Sequence, residues 1–354
     1  MKRIPTLDGW RGIAIAMVLF GHIQDATHSI LPWSDTGQHG VMIFFVLSGF
    51  LITSNLLAGS HDLKNFYVRR FFRLMPVVWA YLAFLLTIGL LSKTPLVTWA
   101  EIQPCLLFYR NYAGPNPGGA MTGHFWSLSI EEQFYLVWPS LLLLFGLRRC
   151  RWLCALAAVG IAIFRWCTWQ HYQQSLLCFR TEVRADALCL GCLLALLLSD
   201  REIYQRAKRW SKWLVLPSGA GFLLLIVKFD FPRTTAFESA CIAVLIAAST
   251  LYPSSLPSRF LSCKPLVWLG QVSYSVYVWQ EPFMWFKGNG LGFAFLLMFY
   301  LPIFALGSYY LVERPCTRFG RRLTSSAPVF MPEPARVTPQ HDTSIPLPRL
   351  SPQP

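Results

Sequence analysis

Long apolar stretches, separated by short polar or basic segments, dominate the sequence between residues 9 and 312. A bilayer core is about 30 Å thick, so a helix of roughly 20 apolar residues crosses it. Ten stretches approach or reach this length, at about residues 9–28, 38–57, 72–92, 125–147, 152–169, 184–199, 211–228, 236–252, 267–286 and 291–312. The pattern predicts an all-α integral membrane protein whose membrane domain, residues 1–322, is a bundle of about ten transmembrane helices.

The basic residues between these stretches are unevenly distributed. If the N-terminus is cytoplasmic, 23 of the 31 Lys and Arg residues lie on the inner side. Cytoplasmic loops are the ones enriched in Lys and Arg, so we expect a multi-pass protein of the inner (plasma) membrane with both termini in the cytoplasm. Residues 323–354 contain eight prolines and few large apolar side chains, which predicts a disordered cytoplasmic tail.

Composition agrees with a membrane protein and narrows its partners. Hydrophobic residues make up 54% of the chain and charged residues 14%, whereas about a quarter of a soluble domain is charged. The net charge of +14 would suggest nucleic acid in a soluble protein, but topology explains it here. We expect a lipid bilayer and no nucleic acid as partners. Cys189 and Cys192 have no second pair or nearby His, so we interpret them as buried small side chains and expect no metal site.

The first apolar stretch contains two polar residues, Arg11 and His22. They are eleven residues apart, about three helical turns, so they share a face and lie roughly 16 Å apart along the axis. A cation near the cytoplasm and a deeper imidazole suit a long substrate with a phosphate head, and the pantetheine arm of coenzyme A has about this reach. Alternatively, Arg11 anchors the topology and His22 is a hydrogen-bonded core residue.

Two further segments suggest donor binding. Arg69, Arg70 and Arg73 precede the third stretch, and Arg70 and Arg73 share a helix face. Topology alone explains one or two of them, but three guanidinium groups without an acid among them also suit a polyphosphate. Ser48 and Gly49 in the second stretch indicate either small-residue helix packing or a helix break that exposes backbone groups to a ligand.

Carboxylates stand at the ends of two stretches. Glu131 and Glu132, shortly after Trp126, cannot face the same way, so at least one points into the bundle. It could orient a catalytic His, bind an acceptor hydroxyl or pair with a buried Arg, or it could only compensate the helix dipole. Glu313, at the end of the last stretch, is expected to neutralise a neighbouring arginine.

Taken in order, these segments resemble the acyltransferase-3 family of membrane acyltransferases, which includes O-antigen and exopolysaccharide acetylases. The matching segments are Leu7-Asp8-Gly9-Trp10-Arg11-Gly12 followed by His22, Phe44 to Ile52, Phe66 to Pro76, Trp126 to Pro139, Arg184-x-Asp186-Ala-Leu, Gly270-x-x-Ser273-Tyr274-Ser-x-Tyr277 and Glu313-x-Pro315.

The resemblance implies a ten-helix membrane domain and an acyl-CoA donor. It implies that His22, which ends an Arg-x10-His motif, is the catalytic residue, and that Arg70 and Arg73 contribute to donor binding. Many members carry a His after the segment that ends here at Tyr277. This chain reads Trp279-Gln280-Glu281-Pro282 instead, so any role of that His is absent or altered.

We therefore expect an O-acyltransferase that moves an acyl group from acyl-CoA to a hydroxyl of a carbohydrate or lipid-linked sugar. The expected acyl group is acetyl. His22 either acts as a base on the acceptor or becomes acylated and relays the group. The remaining expected site residues are Glu131 to orient His22 or the acceptor, Arg11, Arg70, Arg73, Ser48 and Gly49 to bind the donor, and Trp126 and Glu313 in support. Because the thioester is already activated, acyl-CoA is a co-substrate and no bound cofactor is expected.

A transporter or flippase of a lipid-linked sugar is the alternative function. It predicts polar residues spread through several central spans and paired half-sequences with broken helices. We find no such repeat, and the polar residues concentrate near the cytoplasmic half. A non-catalytic scaffold would leave Arg11 and His22 on one stripe unexplained.

Overall fold

The computed structural model describes residues 4–27, 36–58, 62–113, 119–172, 176–227, 234–284 and 299–324, and every regular element in these ranges is helical. The α-helices are α1 (Pro5–Thr27), α2 (Thr36–Leu57), α3 (Leu63–Leu91), α4 (Trp99–Leu106), α5 (Phe125–Tyr172), α6 (Thr181–Leu198), α7 (Arg201–Val227), α8 (Thr235–Leu251), α9 (Leu256–Leu261), α10 (Lys264–Trp279), α11 (Glu281–Met284), α12 (Leu301–Ser308) and α13 (Arg314–Leu323). Short 3-10 helices cover Gly119–Thr122 and Leu176–Phe179, and a π-helical turn covers Tyr309–Glu313.

Four of the described helices, α2, α3, α5 and α7, are long and apolar enough to cross a bilayer. The 48-residue α5 is broken at Gly146, where φ is +70°, a left-handed conformation that glycine adopts without steric cost. The apolar stretches at 125–147 and 152–169 thus form two helical segments joined at this kink. The chain is a multi-pass membrane protein. The number of ten spans and the cytoplasmic termini remain predictions, and the expected disordered tail lies beyond the described residues.

Helix α1 lies at the centre of the packing, with α2 on one side and α10 on the other. Helix α2 continues the layer onto α6, and α6 packs against α5. Helix α3 contacts α10 and, through the ring of Phe72, Phe319 of α13. The main apolar core fills the space between these helices.

Glycines allow the central helices to touch backbone to backbone. A Cβ on Gly49 would overlap the carbonyl oxygen of Leu188, and one on Gly191 would overlap that of Val46. Gly270 packs in the same way against the carbonyl of Asp8. Helix α2 continues without a break through Ser48 and Gly49, so small-residue packing, not a helix break, accounts for this pair.

Candidate functional site

A cavity of about 590 Å³ lies between α1, α2, α3, α5, α10 and the C-terminal helical segment. Six arginines line it: Arg11, Arg70, Arg73, Arg314, Arg318 and Arg321. Three carboxylates line it as well: Asp8, Glu131 and Glu313. The arginines outnumber the carboxylates by three, so the cavity is formally cationic and suited to an anionic ligand.

The arginines of α1 and α3 are held by neighbouring side chains. Asp62 caps the N-terminus of α3 by accepting the backbone N–H of Asn65 at 3.1 Å. Two turns further, the guanidinium carbon of Arg70 lies 3.2 Å from the ring centroid of Tyr135, a cation–π contact, and its Nε is 3.7 Å from Oε1 of Glu132. An Nη of Arg11 lies 3.6 Å from a carboxylate oxygen of Asp8, three residues earlier on α1.

Helix α13 contributes the three arginines that sequence reasoning missed. Arg314, Arg318 and Arg321 are four and three residues apart, so they form one stripe on the helix. Phe319 and Gly320 pack onto Phe72 of α3, which leaves the arginine stripe to line the cavity. Their 4–3 spacing is the sequence signal that they share a helix face.

Glu131 faces the cavity, and Glu132 lies behind it beside Arg70. Ser48 Oγ donates to Glu131 Oε1 at 3.0 Å, and the Tyr135 hydroxyl donates to Oε2 at 3.2 Å. Both carboxylate oxygens therefore have partners in the cavity wall, and the expectation that Glu131 orients His22 or the acceptor stays a prediction. Ser48 lines the cavity as expected, whereas Gly49 packs against α6 outside it.

Glu313 links the C-terminal segment to α10. Its Oε2 accepts a hydrogen bond from Ser275 Oγ at 2.6 Å, and both side chains are buried. Arg73 and Arg11 lie close enough to act on its charge. This position agrees with the expectation that Glu313 neutralises neighbouring arginines.

His22 does not line the cavity. Ser127 and Tyr277 do line it, with their hydroxyl oxygens 2.5 Å apart. The Tyr277 hydroxyl also donates to the backbone carbonyl of His124 at 2.9 Å. His22 is within electrostatic range of His124, so the two imidazoles lie behind the wall that Ser127 and Tyr277 make.

Trp126 supports this region from outside the cavity. Its ring packs against Phe45, with the centroids 6.1 Å apart, and against Phe179 at 5.0 Å. The guanidinium carbon of Arg184 lies 5.1 Å from the Trp126 centroid. The arrangement fixes the start of α5, the helix that carries Ser127 and Glu131.

Two close pairs of buried ionisable side chains lie on the neighbouring helices. Asp186 accepts from Arg165 of α5 at 2.7 Å, and both are almost fully buried. His39 Nδ1 lies 2.8 Å from Glu238 Oε1, with both side chains fully buried. Within the described residues, no group of three or more His, Cys, Asp or Glu side chains could hold a metal ion.

Comparison with known proteins gives one family and a set of bacterial relatives. The acyltransferase-3 model, described as an acyltransferase domain, matches residues 4–312. The putative peptidoglycan O-acetyltransferase YrhL of Bacillus subtilis is 31% identical over 91% of this chain and 56% of its own length. The O-acetyltransferase OatA of Staphylococcus aureus is 30% identical over 81% of this chain and 52% of its own length.

The peptidoglycan O-acetyltransferase OatA of Listeria monocytogenes is 29% identical over 79% of this chain and 49% of its own length. The chain thus spans about half the length of the curated relatives it matches. No solved structure matches it. The match to the family model covers all the cavity-lining segments up to residue 312, including the Arg11–His22 helix, and on this evidence the chain belongs to the acyltransferase-3 family.

Proposed function

We propose that the protein is a membrane O-acyltransferase that moves an acyl group from cytoplasmic acyl-CoA to a hydroxyl of a glycan such as peptidoglycan. We expect the transferred group to be acetyl. The observation that carries the proposal is the arginine-lined cavity, whose lining residue Tyr277 donates to the backbone of His124, a residue within electrostatic range of His22. A cationic chamber and a base at its far end are the two parts that such a transfer needs.

The cavity suits the phosphate end of acyl-CoA. Coenzyme A carries a pyrophosphate and a 3′-phosphate, and guanidinium groups bind phosphate oxygens with pairs of parallel hydrogen bonds. The cavity volume of about 590 Å³ lies within the usual range for ligand pockets, roughly 300–1,000 Å³. Arg11 stands at the cavity and His22 about 16 Å further along α1, a separation that the pantetheine arm can bridge.

Two forms of the chemistry are compatible with His22. As a general base, His22 takes the proton of the acceptor hydroxyl, whose oxygen attacks the thioester carbonyl. The carbon–sulfur bond then breaks, and the thiolate of CoA leaves and is protonated. As a relay, an imidazole nitrogen attacks the thioester carbonyl, the carbon–sulfur bond breaks and the thiolate of CoA leaves. The acceptor hydroxyl oxygen then attacks the acyl-imidazole, the carbon–nitrogen bond breaks, and the hydroxyl proton passes to the freed imidazole.

The roles of the other residues follow from their positions. Arg11, Arg70 and Arg73 hold the donor phosphates, together with the α13 arginines. Glu131, hydrogen-bonded to Ser48 and Tyr135, keeps the cavity wall in place beside the thioester arm. A flippase of a lipid-linked sugar is the weaker candidate, because the family model that matches residues 4–312 is that of an acyltransferase domain.

The donor is the part of the proposal that an experiment can test first. The purified protein is placed in liposomes with acetyl-CoA, labelled in its acetyl carbon, and a peptidoglycan tetrasaccharide without stem peptides. We expect label in the sugar as an alkali-labile ester, and we expect free CoA to compete with transfer. Transfer that proceeds without acetyl-CoA, or that excess CoA does not inhibit, would contradict the donor assignment.

A further inference from the structure

We propose that Trp279, Gln280, Glu281 and His124 form the binding site for the sugar acceptor, on the side of the cavity wall that faces His22. This inference rests on the proposed function and adds the acceptor subsite to it. The first three residues join α10 to α11, and His124 directly precedes α5. None of the four lines the arginine cavity.

Three of these side chains are buried with polar atoms that have no hydrogen-bond partner. They are Gln280, with both its amide oxygen and nitrogen, Trp279, with its indole nitrogen, and His124, with Nδ1. Their exposed fractions are 0%, 6% and 4%. A buried polar group without a partner costs free energy, so four such atoms on three neighbouring residues indicate that a ligand supplies the missing hydrogen bonds.

The contacts of Tyr81 bring the two chain segments together. Its ring centroid lies 5.7 Å from that of His124 and 5.5 Å from that of Trp279. A carboxylate oxygen of Glu281 lies 3.8 Å from His124 Nδ1. This separation is too long for a direct hydrogen bond, and a sugar hydroxyl near the two atoms can donate its proton to one of them.

A hydrogen bond to the backbone shows which ring nitrogen of His124 carries the proton. Its Nε2 lies 3.1 Å from the carbonyl oxygen of Val278, which can only accept a hydrogen bond, so Nε2 carries the proton and donates. In the neutral ring, Nδ1 is then a hydrogen-bond acceptor. The site thus offers an imidazole acceptor, a carboxylate, an amide acceptor, an amide donor and an indole donor.

This set of groups suits neutral hydroxyls more than phosphates. A sugar hydroxyl both donates and accepts, and it can satisfy an amide oxygen and an amide or indole N–H at neighbouring positions. The arginines that would bind phosphate line the cavity on the other side of Ser127 and Tyr277. His22, within electrostatic range of His124, lies where an acceptor hydroxyl bound here would meet the thioester.

Two substitutions test the site while changing little of its packing. Gln280→Leu removes the amide and keeps a similar volume, and Trp279→Phe removes the indole N–H and keeps an aromatic ring. Ser308→Ala is the matched control, because Ser308 also has a buried hydroxyl without a partner but is not one of the residues of the proposed site. It lies on α12 one turn after Phe304, in the direction of Glu313. For each variant we would measure the melting temperature, the KM values for acetyl-CoA and the tetrasaccharide, and equilibrium binding of the labelled tetrasaccharide.

We expect Gln280→Leu and Trp279→Phe to raise the tetrasaccharide KM and Kd at least five-fold. The KM for acetyl-CoA and the melting temperature should stay unchanged, since the lost groups have no partner within the protein. Three results would overturn the site. Sugar affinity could be unchanged in both variants, or Ser308→Ala could lose as much sugar affinity as they do. The third result is a lower melting temperature together with a proportional loss of affinity for both substrates. Because sugar binding is measured without turnover, a wild-type protein that binds the sugar but fails to use acetyl-CoA would refute the proposed donor and not this site.

Discussion

Two of the arginines around the cavity, Arg70 and Arg11, have contacts that also set the direction of their donors. Arg70 lies flat on the ring of Tyr135 with Glu132 at its Nε, so its remaining N–H groups have a defined orientation. Arg11 is held by Asp8. A preorganised guanidinium loses less conformational entropy on binding a phosphate than a mobile lysine does, which explains why lysine would be a poor substitute at these positions.

Arg73→Ala should weaken donor binding. Losing one charge-assisted contact costs about 1.5–3 kcal/mol, so we expect the KM for acyl-CoA to rise ten-fold or more. Arg73→Lys should recover only part of this loss, because a point charge replaces a planar fork. Arg69→Ala is the control: Arg69 is on the same helix but donates to Thr324 at 3.5 Å and does not line the cavity. An unchanged donor KM in both Arg73 variants would reduce Arg73 to a topology anchor.

At the scale of single elements, α13 contributes more to the site than the sequence suggested. Its stripe of Arg314, Arg318 and Arg321 lines the cavity, and the preceding Glu313 joins it to α10 through Ser275. The helix is therefore part of the cavity in which we propose that the donor binds. Its arginines are well placed to select donors that carry several phosphates.

Donor analogues can test this role of α13. Arg318→Ala should raise the KM for acetyl-CoA several-fold, and Arg321→Ala should act in the same way. If the helix binds the 3′-phosphate, at least one of these variants should no longer distinguish acetyl-CoA from acetyl-dephospho-CoA, which lacks that group. Arg322→Ala, which changes a neighbouring residue outside the cavity lining, serves as the control. Equal discrimination by the wild type and both variants would exclude 3′-phosphate recognition by α13.

The contact between α2 and α6 is an element-scale test of the packing. Gly49→Ala places a methyl group on the carbonyl of Leu188, so the helices must separate, and overpacking of this kind costs about 1–3 kcal/mol. We expect a lower melting temperature and less folded protein in the membrane. Gly160→Ala is the matched control, because nothing lies within 4 Å of the position a Cβ would take. Equal stability of the two variants would contradict the close contact.

Sequence reasoning predicted the helices better than the contacts between them. Hydropathy marked the long apolar helices α2, α3 and α5, and the Arg11–His22 spacing placed both residues on one continuous helix, α1. It did not identify the partners of Glu131, because Ser48 is 83 residues away in the chain. The kink at Gly146 and the His124–Glu281 approach likewise depend on tertiary packing, which a single sequence pattern does not encode.

At the scale of the whole molecule, the arginine cavity and the proposed acceptor site lie on opposite sides of the Ser127–Tyr277 wall. This order lets a charged donor stay on the cytoplasmic side while the acyl group reaches a sugar deeper in the bundle. It depends on the predicted orientation with cytoplasmic termini. If the orientation were reversed, the arginines would face a compartment without acyl-CoA.

Cysteine labelling tests this orientation. Cys178 falls on the predicted outer side and Cys263 and Cys316 on the inner side, and all three are partly exposed. Cys105 and Cys150 are buried and unsuitable, and burial also raises the pKa of the Cys105 thiol to about 12, which suppresses its reactivity. Burial raises the pKa of Cys178 too, so labelling should be run at mildly alkaline pH.

Single-cysteine versions in intact cells are treated with a membrane-impermeant maleimide. We expect label at Cys178 without permeabilisation and at Cys263 and Cys316 only after it. Labelling of Cys316 in sealed cells would show that the topology is inverted. The arginine cavity would then face a compartment without acyl-CoA.

The most direct test of the central claim is turnover by His22→Ala in liposomes with acetyl-CoA and the peptidoglycan tetrasaccharide. Loss of a general base typically lowers the rate about 10²–10⁴-fold, and loss of an acyl relay should be at least as severe. We predict this loss at unchanged membrane abundance and unchanged affinity for CoA, because the arginine cavity does not include His22. A purified His22→Ala protein that kept more than half of the wild-type turnover would contradict the account and make His22 a structural residue.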